Sequence, residues 1–201
     1  MNNIHQFPLP QSLQPPEAFE TKRLLLRLPR REDAAPMLEA IEESRKELLP
    51  FIFWANRPRQ SVEEAEALMD RLVAMFRERT QIRFHLFDKD TGQFLGVCSL
   101  QGIDWMARCF ELGYWIRTSV SGRGLTTEAV DAVTRYAIEH LQAQRIELRC
   151  DVRNEASIRI AERLGFKLEG IMRNRMPDGP GDLRDVCLYA KVHGVEFQAP
   201  E

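Results

Sequence analysis

Several protein classes are excluded by what this chain does not contain. Its 201 residues carry four cysteines, Cys98, Cys109, Cys150 and Cys187, and no two of them form a C-x-x-C pair. Such scattered thiols read as reduced and mostly buried, in a cytoplasmic protein. No apolar run approaches the roughly 18 residues of a membrane span, and no charged-then-apolar signal opens the chain, so no membrane association is expected. The formal net charge is −2, which gives no bulk attraction to nucleic acid. His85, His140 and His193 share no ligand spacing with cysteines or acidic residues, so no metal is expected. There is no internal repeat. One domain is the expectation at this length, large enough to bury a core without staples.

The order of elements follows from periodicity. Residues 1–17 hold Pro8, Pro10, Pro15 and Pro16 among polar residues and read as a loose tail ahead of a single domain, 18–201. Arg23 to Leu28 reads as a strand and Arg31 to Arg45 as a helix, with Pro36 tolerable only in its opening turn. Ser61-Val62-Glu63-Glu64 is a capping box, and apolar residues at 65, 68, 69, 72, 73 and 76 follow at helical spacing. Ile82 to Phe87 and Phe94 to Leu100 alternate around an Asp90-Thr91-Gly92 turn, a hairpin signature. Phe110 to Ile116 is a further strand, and Leu125 to Leu141 a long amphipathic helix. Ile146 to Val152 is a strand, and Asn154 caps a helix that Gly165 ends. Two strands, Phe166 to Met172 and Val186 to Val192, close the chain around a Pro- and Gly-rich turn at 177–182. The sum is an α+β sandwich with a mixed sheet.

Between the aromatic strand and the long helix stands Ser119-Val120-Ser121-Gly122-Arg123-Gly124-Leu125-Thr126-Thr127. Two glycines allow positive φ and close approach, so several N–H groups can converge on one point. A helix N-terminus adds unpaired donors and the positive end of a dipole, the geometry that holds a phosphate or pyrophosphate. No acidic residue lies between Leu112 and Thr127, whereas Arg117 and Arg123 do. A lone G-x-G is equally compatible with a plain strand-to-helix turn. A P-loop nucleotidase is excluded, because no Gly-Lys-Ser/Thr follows the glycines.

The element order, the S-G-R-G-L turn, Asn154-x-x-Ser157 and Leu164-Gly165-Phe166 resemble the GNAT family of acetyl-CoA-dependent N-acetyltransferases. Leu48-Leu49-Pro50-Phe51-Ile52-Phe53-Trp54-Ala55, Glu111-Leu112-Gly113-Tyr114-Trp115-Ile116 and Leu168-Glu169-Gly170 are similar to its ribosomal-protein serine/alanine branch (RimJ/RimL type). The likeness spans roughly residues 20–192. It implies the acyl-CoA N-acyltransferase fold: a mixed, mostly antiparallel sheet flanked by helices, with a splayed parallel strand pair at the CoA site. It implies acetyl-CoA as co-substrate and no metal. The acceptor it implies is the N-terminal α-amine of a protein or peptide, with a small-molecule amine or a non-catalytic CoA sensor as the other readings.

Site residues carry over by position. The resemblance puts the CoA pyrophosphate on Val120, Ser121, Gly122, Arg123, Gly124, Leu125 and Thr126; Ser119 departs from the Gln or Arg that usually opens this motif. Pantetheine is expected along the backbone of Trp115, Ile116 and Arg117 and near Asn154, with an N–H near Tyr114 polarising the thioester carbonyl. Glu111 matches the family's general base. On so apolar a strand, a raised carboxyl pKa is expected; a solvated glutamate on the strand's outer face is the bland alternative. The family's tyrosine acid falls on Ala161, and Ser157 is the substitute, either donating a proton to the thiolate or supporting the Asn154 cap. Phe51, Phe53, Trp54, Glu111 and Tyr114 are the expected acceptor wall, although aromatics in such a connection fill core more often than not. Relatives of this branch often form homodimers, which no feature of this sequence decides.

Overall fold

A computed structural model describes residues 13–52, 55, 60–178 and 182–198. Eight strands form one sheet in the order β1-β2-β3-β4-β5-β6-β8-β7. The strands are β1 (Ala18–Glu20), β2 (Leu24–Arg27), β3 (Ile82–Asp88), β4 (Phe94–Asp104), β5 (Cys109–Ile116), β6 (Arg145–Asp151), β7 (Lys167–Pro177) and β8 (Leu183–Val192). The helices are α1 (Ala34–Leu48), α2 (Val62–Arg77), α3 (Leu125–Leu141) and α4 (Glu155–Arg163).

Period-two alternation sends successive side chains of each strand into different layers. One layer packs Leu24, Phe84, Leu100, Phe110, Leu112 and Leu148 against Ala129, Val133 and Tyr136 of α3 and Ala161 of α4. The other packs Phe87, Phe94, Val97 and Trp115 against Ala34, Met37 and Ala40 of α1 and Ala65 and Met69 of α2. Odd-numbered positions of β5, Glu111 and Gly113 included, therefore share the α1/α2 face. The capping box of α2 forms as its sequence predicts: the Glu64 amide donates to Ser61 Oγ at 3.2 Å, and the Ser61 amide to Glu64 Oε2 at 2.8 Å.

All strand pairs are antiparallel except β5 with β6. Their parallel register runs from Cys109↔Arg145 to Leu112↔Leu148 and stops there. Beyond it β5 stays on β4 as far as Gly96↔Ile116, while β6 follows β8 to Asp151↔Val186. The parallel pair splays from Gly113 and Arg149 onward.

Two departures from the sequence reading stand out. The short strand β1 was not expected, since three residues carry too little alternation to register. Residues 13–17, expected to be loose, are tied down in part: Arg79 donates to the Leu13 carbonyl at 2.7 Å, and the Tyr136 hydroxyl to the Pro16 carbonyl at 3.0 Å. Residues 1–12 of the expected tail lie outside the described residues.

Candidate active site

A cleft of about 950 Å³ opens through the splay and reaches both faces of the sheet. On one side it is lined by Ser121, Gly122, Gly124, Thr126, Thr127, Asn154 and Ser157; on the other by Phe51, Ser99, Gln101, Glu111 and Arg149.

The turn ahead of α3 is built for an anion. Gly122 and Gly124 have φ of 75° and 77°, and a Cβ on Gly122 would touch nothing within 4 Å, so the chain curls with open space before it. The amides of Val120 and Ser121 are consumed by the carbonyls of Arg117 and Thr118, and Val120 is buried. The first amide of α3 to reach an intrahelical carbonyl is that of Glu128, which donates to Gly124. The donors left for a ligand thus begin at Gly122 and run to Thr127, two positions later than the motif suggests. A carboxylate in this first turn would oppose an anion, but Glu128 is held by Thr21 Oγ1 at 2.6 Å, the Arg23 amide at 2.9 Å and Arg23 Nε at 2.7 Å. Arg23 also donates to the Arg123 carbonyl at 2.9 Å, clamping the turn from β2.

Arg117 was expected beside the cofactor. Instead its side chain is buried and pairs with Glu43 at 2.6 Å and Glu39 at 2.8 Å on α1. Its amide donates to Leu95 and its carbonyl accepts from Val120. Neither its charge nor its backbone is available, and of the two arginines near the turn only the exposed Arg123 keeps its charge clear of α1. Glu43 also accepts from the Ser119 amide at 2.8 Å, and Ser44 from the Thr118 amide at 2.9 Å. The Arg117 hydrogen bond holds the Glu43 carboxyl at about 2, well below the usual carboxylate range. Helix α1 thereby fixes where the turn begins.

Because the Arg117 amide faces β4, two-residue alternation turns the Trp115 and Gly113 backbone toward β4 as well. The amides of Tyr114 and Ile116 then point into the splay. Of the three residues expected to line pantetheine, Ile116 keeps that orientation; the Trp115 side chain is buried in the α1/α2 layer.

Glu111 lines the cleft, but not in the apolar surroundings its strand suggests. Gln101 Nε2 donates to its Oε1 at 3.1 Å, and Arg149 Nη1 lies 3.2 Å from its Oε2. Arg149 is shared with Glu147, 2.7 Å away. Sequence reasoning missed Gln101 and Arg149. The one available signal was alternation, which puts Ser99, Gln101, Glu111 and Arg149 on a common face. Tyr114, expected with Glu111 on the acceptor wall, is three residues along the strand, so its side chain turns to the α3/α4 face. Its hydroxyl is buried without a hydrogen-bond partner; burial pushes its pKa up, weakly opposed by the nearby Ser157 hydroxyl. Asn154 Oδ1 accepts from the Ser157 amide at 3.1 Å, which makes it the cap of α4 while it also lines the cleft. Ser157 is 9 % exposed, opposite Tyr114. Phe51 lines the cleft, whereas Phe53 and Trp54 lie outside the described residues. Arg175, near the end of β7, lines the cleft, and residues 179–181 of the turn that follows are not described. Among the described residues no cluster of His, Cys, Asp or Glu could hold a metal ion, and no helix is long and apolar enough to cross a membrane.

A family model, the acetyltransferase (GNAT) domain, matches residues 23–167. The chain belongs to the GNAT family of acetyl-CoA-dependent N-acetyltransferases. It is 28% identical to the ribosomal-protein-serine acetyltransferase of Escherichia coli (strain K12) over 135 residues, 66% of this chain and 73% of that one. It is 27% identical over 178 residues to the [ribosomal protein uS5]-alanine N-acetyltransferase of the same organism, covering 88% and 91%. Among solved structures, RimL, a ribosomal L7/L12 alpha-N-protein acetyltransferase in complex with coenzyme A, superposes with a TM-score of 0.81 at 22% identity, over 88% of this chain and 98% of that one. The splayed pair and the run of open amides are a fit for a pyrophosphate-bearing thioester in a GNAT fold.

Proposed function

We propose that this GNAT enzyme acetylates the N-terminal α-amine of a protein, with a ribosomal protein as acceptor class, by direct attack of the amine in a ternary complex. The observation that carries the reading is the placement of Glu111 and Ser157 on opposite sides of one splay, reached from opposite faces. The ribosomal-protein acetyltransferases among the relatives support the acceptor class.

Acetyl-CoA supplies the acetyl group as an activated thioester. The amides from Gly122 to Thr127 hold its pyrophosphate, and the Tyr114 and Ile116 amides face its pantetheine and carbonyl. Glu111, steadied by Gln101 and Arg149, takes the proton that the acceptor ammonium must lose. Ser157, fixed by the Asn154 cap, gives a proton to the departing sulfur. No serine nucleophile is needed, because the amine and the thioester meet directly.

Replacing Glu111 by Gln keeps shape and the Gln101 contact but removes the base. The expected result is a fall in kcat of about 10²- to 10⁴-fold with CoA affinity near normal. Unchanged kcat for Glu111→Gln on a Ser-starting peptide would remove Glu111 from the mechanism.

A further inference from the structure

Arg83, on β3, lines the acceptor side of the cleft. It is largely buried, and among the described residues its Nε has no hydrogen-bond partner and no carboxylate lies within ion-pair distance of it. Two other arginines of this wall are committed. Arg149 holds Glu111 and Glu147, and Arg184 holds Asp151 at 3.3 Å and the Pro50 carbonyl. Among the carboxylates, Asp151 is also taken by Arg153 at 2.7 Å, and Glu47 accepts from Thr118 Oγ1 at 3.3 Å. Burying a guanidinium without a counter-charge is costly, and such a group is retained where something binds it.

The register says where a bound anion would lie. Arg83 pairs with Ser99, and Ser99 with Gly113. Arg83 therefore stands two strands, about 10 Å, from the residue where the splay opens. Gly113 carries no side chain; over it lie the polar tips of Gln101 and Ser99, the Ser99 hydroxyl donating to the Gly113 carbonyl at 3.1 Å. An arginine reaching across that gap meets a group a few bonds from an amine held at Glu111.

We infer that Arg83 is a binding site for a carboxylate carried by the acceptor close to its reactive amine. This rests on the reading of the Glu111 wall as the acceptor side. The carboxylate has two sources: an acidic side chain at the second residue of a polypeptide, or the α-carboxylate of a free amino acid. A polyamine acceptor is disfavoured, because Arg83 would repel its second charge.

The test compares matched acceptors on the full chain: Ser-Asp and Ser-Asn peptides for the first source, and serine with serine amide for the second. A charge-assisted pair is worth roughly 10- to 100-fold in kcat/KM for the acidic member. In Arg83→Ala the ratio falls to near one while the neutral member and CoA binding are unchanged; Arg83→Lys retains part of the preference. Selectivity in the peptide pair assigns the polypeptide source, and selectivity in the amino-acid pair the free one. Calorimetry of N-acetyl-Ser-Asp against N-acetyl-Ser-Asn on the CoA-loaded protein reads the same site without turnover. Selective binding that depends on Arg83, without turnover of any acceptor, would uphold the anion site and sink the proposed function. Equal use of the acidic and neutral members in both pairs, or an acid preference that survives Arg83→Ala, overturns the inference.

Discussion

Asp33 is 2 % exposed at the head of α1, where it accepts from Arg27 at 2.6 and 2.8 Å, from the Arg30 amide at 2.9 Å and from His85 Nδ1 at 2.8 Å. Burial alone would raise its carboxyl, but these hydrogen bonds outweigh it and hold the pKa at about 2. His85, fully buried, is pushed below its ordinary 6.5 by burial, only partly offset by Asp33, so it is neutral with Nδ1–H donating to the carboxylate. Both groups bind fewer protons folded than unfolded in acid. Below about pH 6.5 the unfolded chain protonates its histidine first, and below about pH 4 its aspartate, so folding stability falls with pH across both windows. The urea midpoint is expected to drop steadily from pH 7 to pH 3. Asp33→Asn, which breaks a buried pair, should cost about 3 kcal/mol at pH 7 and progressively less toward pH 3. A midpoint flat over that range would contradict this account of the pair.

At the scale of elements, the splay depends on how closely β4 and β5 approach. A Cβ on Gly96 would stand 2.3 Å from the Trp115 carbonyl oxygen and 2.8 Å from Ile116 Cα, both backbone atoms of β5. Gly96→Ala must push β5 away just where its Tyr114 and Ile116 amides turn into the splay. The expected cost is at least 2 kcal/mol in denaturant unfolding together with weaker CoA binding; a variant with wild-type values of both would show that strand spacing does not set the site. Elements of this kind were largely legible in the sequence. The Ser61 capping box, the Asn154 cap and the Gly122–Gly124 turn each lie within a few residues of chain, where side-chain chemistry acts on its own backbone. What was not legible is pairing across the fold. Arg117 looks like a charge offered to a phosphate until Glu39 and Glu43, more than 70 residues earlier, take it up. Glu111 looks apolar-flanked until β4 and β6 bring Gln101 and Arg149 beside it. Arg83 is visible only by the absence of such a partner, which no local pattern signals.

Across the whole molecule, two layers of helices divide the work. In the proposed reading, helices α3 and α4 with the turn between β5 and α3 form the cofactor side, and α1 with the polar face of β3 to β6 forms the acceptor side. The two meet where β5 and β6 part company, so the proposed chemistry falls at the seam of the sheet. The decisive measurement incubates the full chain with acetyl-CoA and a panel of Ser- and Ala-starting peptides, α-amine-blocked peptides bearing lysine, and small amines. It follows CoA release with a thiol reagent and locates the acetyl group by fragment-ion mass spectrometry. The account predicts release with the unblocked peptides and an acetyl group on the α-nitrogen, abolished by blocking. Turnover confined to lysine side chains or small amines, or tight CoA binding without turnover of any acceptor, would contradict it.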